Sequence, residues 1–158
     1  MQRLKNLLTA LITILCFCPT ALAEKIPVKI EPAQVISTTH DETEIGDYVK
    51  FSVISDVYKN DKVYIAKGTQ VLGLVDYVQE NGWSFDNAQI DFRIFKTRDV
   101  KNNLVIINSF VSINGFETLK YKGNRPAQFF NYIGVIFRGK EVDLNPDVDK
   151  MPFTIWLQ

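Results

Sequence analysis

A chain of 158 residues suits one domain and is too short for two ordinary ones. Its 18 Lys and Arg balance its 18 Asp and Glu, and no basic cluster in the sequence points to nucleic acid. Two cysteines and one histidine leave thiol chemistry, cysteine metal sites and histidine-based hydrolysis little to build on.

Residues 1–23 read as a secretory signal. Arg3 and Lys5 give a positive start, residues 7–18 form an apolar run broken by two threonines, and Pro19 ends any helix. That run is shorter than the about 20 apolar residues a spanning helix needs. Ala21 and Ala23 are small residues at the two positions a signal peptidase reads, so cleavage is expected between Ala23 and Glu24, leaving 135 residues. Cys16 follows Leu15 and Cys18 follows Phe17, so neither has the small preceding residue of a lipoprotein. Both cysteines lie in the signal. The remainder, 24–158, is expected to be one exported domain of the periplasm or outer envelope, held by its core rather than by disulfides.

From residue 25 onward the dominant signal is alternation in short runs bounded by turn residues. Ile26, Val28 and Ile30 share a face, as do Val49, Phe51 and Val53. A short apolar run at 63–65 precedes the alternating Val71, Gly73, Val75 and Tyr77; then come Ala88, Ile90, Phe92 and Ile94. Residues 104–113 are rich in β-branched side chains, and further strands are expected at 116–121, 132–137 and 153–157. Period two is the spacing of a half-buried strand. Asn60-Asp61, Lys67-Gly68, Asn81-Gly82, Asn102-Asn103, Asn114-Gly115 and Gly139-Lys140 supply turns, and the Asn-Gly pairs are strong hairpin signals. Only 38–45 and 126–132 offer a helical turn, and neither is long enough for a helical face. The expected fold is all-β: a single small antiparallel β-barrel or barrel-like sandwich.

Chemistry-bearing residues are few. His40 sits in a polar loop, Ser37-Thr38-Thr39-His40-Asp41-Glu42, without a nucleophile elbow, so no catalytic residue is assigned and an enzyme is not expected. Asp143, Asn145, Asp147 and Asp149 place oxygens at every second position, like the start of a calcium loop. Val148 then stands where the turn needs glycine and Thr154 where a bidentate glutamate belongs; with Pro146 inside it, the segment reads as a rigid acidic turn, and no metal or cofactor is assigned. Tyr77, Trp83 and Asp86 combine aromatic faces with a carboxylate, the chemistry that stacks on and hydrogen-bonds to sugars; the same residues also suit a plain hairpin tip. Phe129 and Phe130 are adjacent, and neighbours on a strand face opposite sides, so with Arg125 they are candidates for partner docking.

One stretch is more specific. It reads Gly46-Asp47-Tyr48-Val49-Lys50-Phe51-Ser52-Val53, then Asp56-Val57-Tyr58, then Val63-Tyr64-Ile65-Ala66-Lys67-Gly68-Thr69-Gln70-Val71-Leu72-Gly73. This resembles the β-barrel domain of the TrbI-like family, the outer-membrane channel component of type IV secretion systems, and related small exported domains. The shared elements are a Gly-Asp opening a strand, an Asp-Val closing it, an Ile-x-Lys-Gly-Thr turn, and valine and glycine two residues apart; Ala66 replaces the family's proline. The resemblance implies a barrel and a place in an envelope assembly. The segment 123–132 is too short for the family's pore wall. The functional expectation is a non-enzymatic envelope domain acting by contact with envelope proteins or with its own copies, peripheral to a membrane at most. The alternative is a glycan or cell-wall binding module.

Overall fold

The computed structural model describes residues 25–39, 43–83, 86–120 and 138–158. Within them, ten strands and one helical turn succeed one another in chain order. They are β1 (Ile26–Pro32), β2 (Ile36–Ser37), β3 (Tyr48–Val53), β4 (Val57–Lys59), β5 (Lys62–Ile65), β6 (Gln70–Gln79), β7 (Gln89–Arg98), β8 (Leu104–Asn114), α1 (Gly115–Thr118), β9 (Asp143–Leu144) and β10 (Phe153–Leu157). Six of them form one antiparallel sheet in the order β10-β1-β3-β6-β7-β8, while β2 pairs with β9 and β4 with β5. The sheet curls until β8 lies against β10, giving the nearly closed barrel expected from the alternation.

The interior is built from inward-facing residues at period two. Val28 and Ile30 come from β1, Val49, Phe51 and Val53 from β3, Ile90, Phe92 and Phe95 from β7, and Ile155 and Leu157 from β10; all are buried. Phe51 meets Phe92 edge-on at 5.3 Å and 88°, Phe95 at 5.9 Å and 66°, and Phe153 of β10 at 6.2 Å and 90°. Such pairs contribute about 0.5–1.5 kcal/mol each beyond their buried area.

Gly73, on β6 between these strands, makes this cluster possible. A Cβ there would lie 2.8 Å from Phe51, 2.9 Å from Phe95 and 3.2 Å from Phe92. The glycine is therefore required for ring space, and the register shift comes just after it, at Leu74/Val75 and Val75/Tyr77. A second irregularity lies between Phe92 and Ile94, opposite Ser109 and Phe110 of β8. Bulges increase local twist and bend a sheet, which suits a small barrel approaching closure.

The turns are set by their residues. Asn60 and Asp61 both have positive φ (53° and 57°), the two-residue geometry that matches strand twist, and join β4 to β5 through the Lys59–Lys62 pair. Gly68 turns at φ 80°, with Lys67 N–H held by Asp56 at 2.7 Å. Asn114-Gly115 departs from expectation: it starts α1 rather than a hairpin, because the Asn114 side chain accepts the Phe116 N–H and caps the turn. The strand expected at 116–121 is therefore a helical turn over its first residues. Asn81-Gly82 sits in a longer connection between β6 and β7, where Gly82 N–H bonds the Asp86 carbonyl at 2.7 Å. The strand expected at 132–137 and the turn at 126–132 lie outside the described residues, as does part of 38–45. Among the described residues no helix is long and apolar enough to cross a membrane.

Gly73→Ala should destabilise the domain by about 1–3 kcal/mol, since the added methyl must displace ring atoms from three sides. Urea unfolding checks this; a midpoint equal to that of the parent would show that the cluster does not depend on the glycine.

Candidate functional site

Three surface regions bring chemistry-bearing residues together. The first is the connection after β6. The Tyr77 hydroxyl donates to Gln79 Oε1 at 3.0 Å, and Gln79 Nε2 donates to Asp86 Oδ1 at 2.7 Å. Trp83 stands beside this line, 79% exposed, and bridges Arg138 through its backbone. Asn81 Nδ2 and Gly82 tie the loop to Gly139, through the bond to the Gly139 carbonyl at 2.7 Å and from the Gly139 N–H at 2.9 Å. The structure thus joins Tyr77 to Asp86 through Gln79, which the sequence did not single out, and holds Trp83 in the same loop by its backbone. Of the other acids, Asp76 is ion-paired with Arg93 at 3.0 Å and Asp91 accepts from Gln89 at 2.8 Å.

The second is the acidic turn after β9. Asn145 Oδ1 accepts the Asp147 N–H at 3.0 Å, and Asp149 Oδ2 accepts the Asn145 N–H at 3.1 Å. The Asn145 carbonyl takes N–H bonds from Val148 and Asp149. These oxygens close a turn on its own backbone, as the proline within it suggests. Asp149 is buried, and its Oδ1 has no hydrogen-bond partner among the described residues. Among the described residues no three His, Cys, Asp or Glu side chains gather to hold a metal ion.

The third is the seam where β8 meets β10. No ladder joins these two strands; Trp156 N–H reaches the Ser109 hydroxyl at 3.3 Å. Leu104, Ile106 and Phe110 on β8 and Trp156 on β10 point outward, between 44% and 61% exposed. Neither strand carries a charged residue. Sequence reasoning passed over this row. Its signal was the run Leu104-Val105-Ile106-Ile107, apolar on both parities, which a strand with one face in water does not need.

The β7–β8 turn aims this strand. Asp99 receives the N–H groups of Lys101 at 2.9 Å and Asn103 at 2.8 Å, and the Asn103 side-chain amide at 2.9 Å. The Asn103 side-chain bond chiefly holds its carboxyl below the ordinary aspartate range; desolvation opposes it, and the backbone bonds and the Lys101 charge add smaller lowering effects. Asn102 takes the left-handed conformation at φ 67° within the turn.

His40 and the docking candidates Arg125, Phe129 and Phe130 lie outside the described residues. Comparison with known proteins finds no matching family model, no matching curated protein and no matching solved structure.

Because a depressed carboxyl stabilises the fold above its ordinary pKa and ceases to do so as pH falls through the folded value, the turn should lose this support only below the pH at which an ordinary aspartate protonates. Carbon-detected NMR titration should place Asp99 below an ordinary aspartate, and Asn103→Ala should raise it. An unchanged Asp99 titration in that variant would show that the amide does not set it.

Proposed function

We propose that the chain is an exported, non-enzymatic domain of the cell envelope that works by protein–protein contact at the β8–β10 seam, as a component of an envelope or secretion assembly. The observation that carries this reading is the seam itself: two adjacent, uncharged strands joined by a side-chain bond instead of a ladder, with Phe110 and Trp156 exposed beside it. Natural sheets protect open edges with charge, proline or cover, because unpaired backbone groups invite another strand. An extended partner segment adding to β8 or β10 would use those groups for affinity and the aromatic row for selectivity. The likeness of residues 46–73 to the TrbI-like barrel points to the same setting, and Arg125, Phe129 and Phe130 remain candidates for a second part of the contact. A photo-crosslinking residue at position 110 of the full chain, in intact cells, should give discrete adducts with envelope proteins. The same residue at Tyr58, exposed on β4, should not. Equal adducts at both positions, or none at 110, would refute contact at the seam.

A second reading is favoured by a specific observation, the hydrogen-bonded line Tyr77–Gln79–Asp86 beside the exposed Trp83. An aromatic face with fixed donors and acceptors next to it suits a sugar ring, and the domain would then bind cell-wall glycan. Cell-wall oligosaccharide should quench tryptophan fluorescence, and Trp83→Ala should remove the quenching while Trp156 still emits. Quenching that survives in the variant would move the site away from Trp83.

A further inference from the structure

The outer face of β3, β6, β7 and β8 sorts charge in a way that the balanced composition conceals. Strand register places Lys50 opposite Leu72, Leu72 opposite Lys96, and Lys96 opposite Ile106. The adjoining row runs Tyr48, Leu74, Ile94 and Asn108. On the other side Arg98 lies opposite Leu104. Residues directly opposite each other in a ladder share a face. This surface therefore interleaves three cations with aliphatic side chains and a tyrosine, and these rows contain no acid. Their margins are marked by Glu31, opposite Ser52 on the neighbouring strand, and by Asp76, which is neutralised by Arg93 at 3.0 Å. Leu72, Lys96, Arg98 and Leu104 line a shallow hollow of 280 Å³ on this face. The Lys96 ammonium stands 4.6 Å from the centre of the Tyr48 ring and 2.6 Å from its hydroxyl.

We propose that this face docks the domain peripherally on an anionic phospholipid surface. Two features select that occupant. Among the described residues Lys50, Lys96 and Arg98 have no ion-pair partner, although Arg98 donates to Asn102 in the turn that holds Asp99; such cations call for an anionic partner and would repel a second copy presenting the same face. Aliphatic groups between the cations, with Leu104 and Ile106 more than half exposed, call for a partner that also offers apolar contact, which a bilayer supplies beneath its headgroups. Lysine and arginine stems lie along apolar surface while their charged ends reach outward, so the cations would meet phosphates as the aliphatic side chains enter the interface. Leu104 and Ile106 also belong to the outward row of β8 at the seam, so this face borders the partner contact proposed there, whereas Lys50, Lys96 and Arg98 lie on β3 and β7 and their reversal tests the docking apart from it.

The test is flotation of the full chain with vesicles of phosphatidylglycerol and phosphatidylethanolamine, against vesicles of phosphatidylcholine. Partition onto the anionic vesicles should be strong at low salt and fall at high salt. Each cation near such a surface is worth about fivefold in binding. Combined Lys50→Glu, Lys96→Glu and Arg98→Glu should therefore weaken partition by roughly a hundredfold or more. Reversal of Lys59 and Lys62, on the β4–β5 hairpin, should leave it unchanged. Ile106→Ser with Leu104→Ser, outward residues whose loss spares the core, should weaken it separately. Residues 1–23 are common to every form, so binding through them would be unaffected by any of these changes. Equal partition of the triple variant and the parent, with matching urea midpoints, would overturn the proposal. So would failure of the parent to float while it binds a soluble acidic polypeptide, which would assign the face to an acidic protein.

Discussion

The barrel depends on the missing side chain at Gly73. Phe51 from β3 and Phe92 and Phe95 from β7 flank β6, and their rings meet above it only because position 73 carries no Cβ. Phe51 also touches Phe153 of the last strand, so the same ring links the middle of the sheet to β10. A cluster of rings on one side of a sheet, filling the space that a side chain at position 73 would take, lets that side curve inward. The register shifts on either side of β7 give the backbone the bend this requires. Curling brings β8 to β10 without pairing them, and the seam is a consequence of that incomplete closure.

Among the described residues, phenylalanine, isoleucine and valine side chains fill the barrel's axis, which leaves little room there for chemistry. Candidate functions therefore fall on the outside, where turns and outward positions are free of packing demands. The loop after β6 is stitched to Gly139 by Asn81 and Gly82 and to Lys140 by Asn87, whose Oδ1 accepts the Lys140 N–H, so its exposed tryptophan is presented from a held base. The acidic turn after β9 is different in kind. Asn145 Oδ1 and Asp149 Oδ2 accept the turn's own N–H groups, which makes it a structural closure.

Alternation alone made most of the fold legible, since Val49-Phe51-Val53 or Ile90-Phe92 cannot place their apolar side chains together except on a strand. The short strands β2, β4 and β9 escaped because two or three residues carry no period. Asn114-Gly115 misled because asparagine serves both a tight hairpin and a helix cap, and the residues C-terminal to it decide between them. The site was less legible. Tyr77, Trp83 and Asp86 could be named because they lie close in sequence, whereas their link, Gln79, has nothing in its own residue type to mark it. Gly73 was visible as a mid-strand glycine, but its reason is steric and depends on rings contributed by residues 51, 92 and 95.

The outward cations show the same limit from another direction. Lys50, Lys96 and Arg98 are far apart in sequence, each flanked by ordinary strand residues, in a chain whose formal charge sums to zero. A scan for clusters along the chain cannot find them, because register, not sequence distance, sets them side by side. Their grouping also has an energetic consequence. Side chains projecting from a rigid sheet are already oriented together, so a partner that meets them need not order a loop, and less of the attraction is spent on conformational entropy. A balanced protein can in this way present a face that is locally cationic and apolar, and net charge, which governs solubility, carries no information about that face.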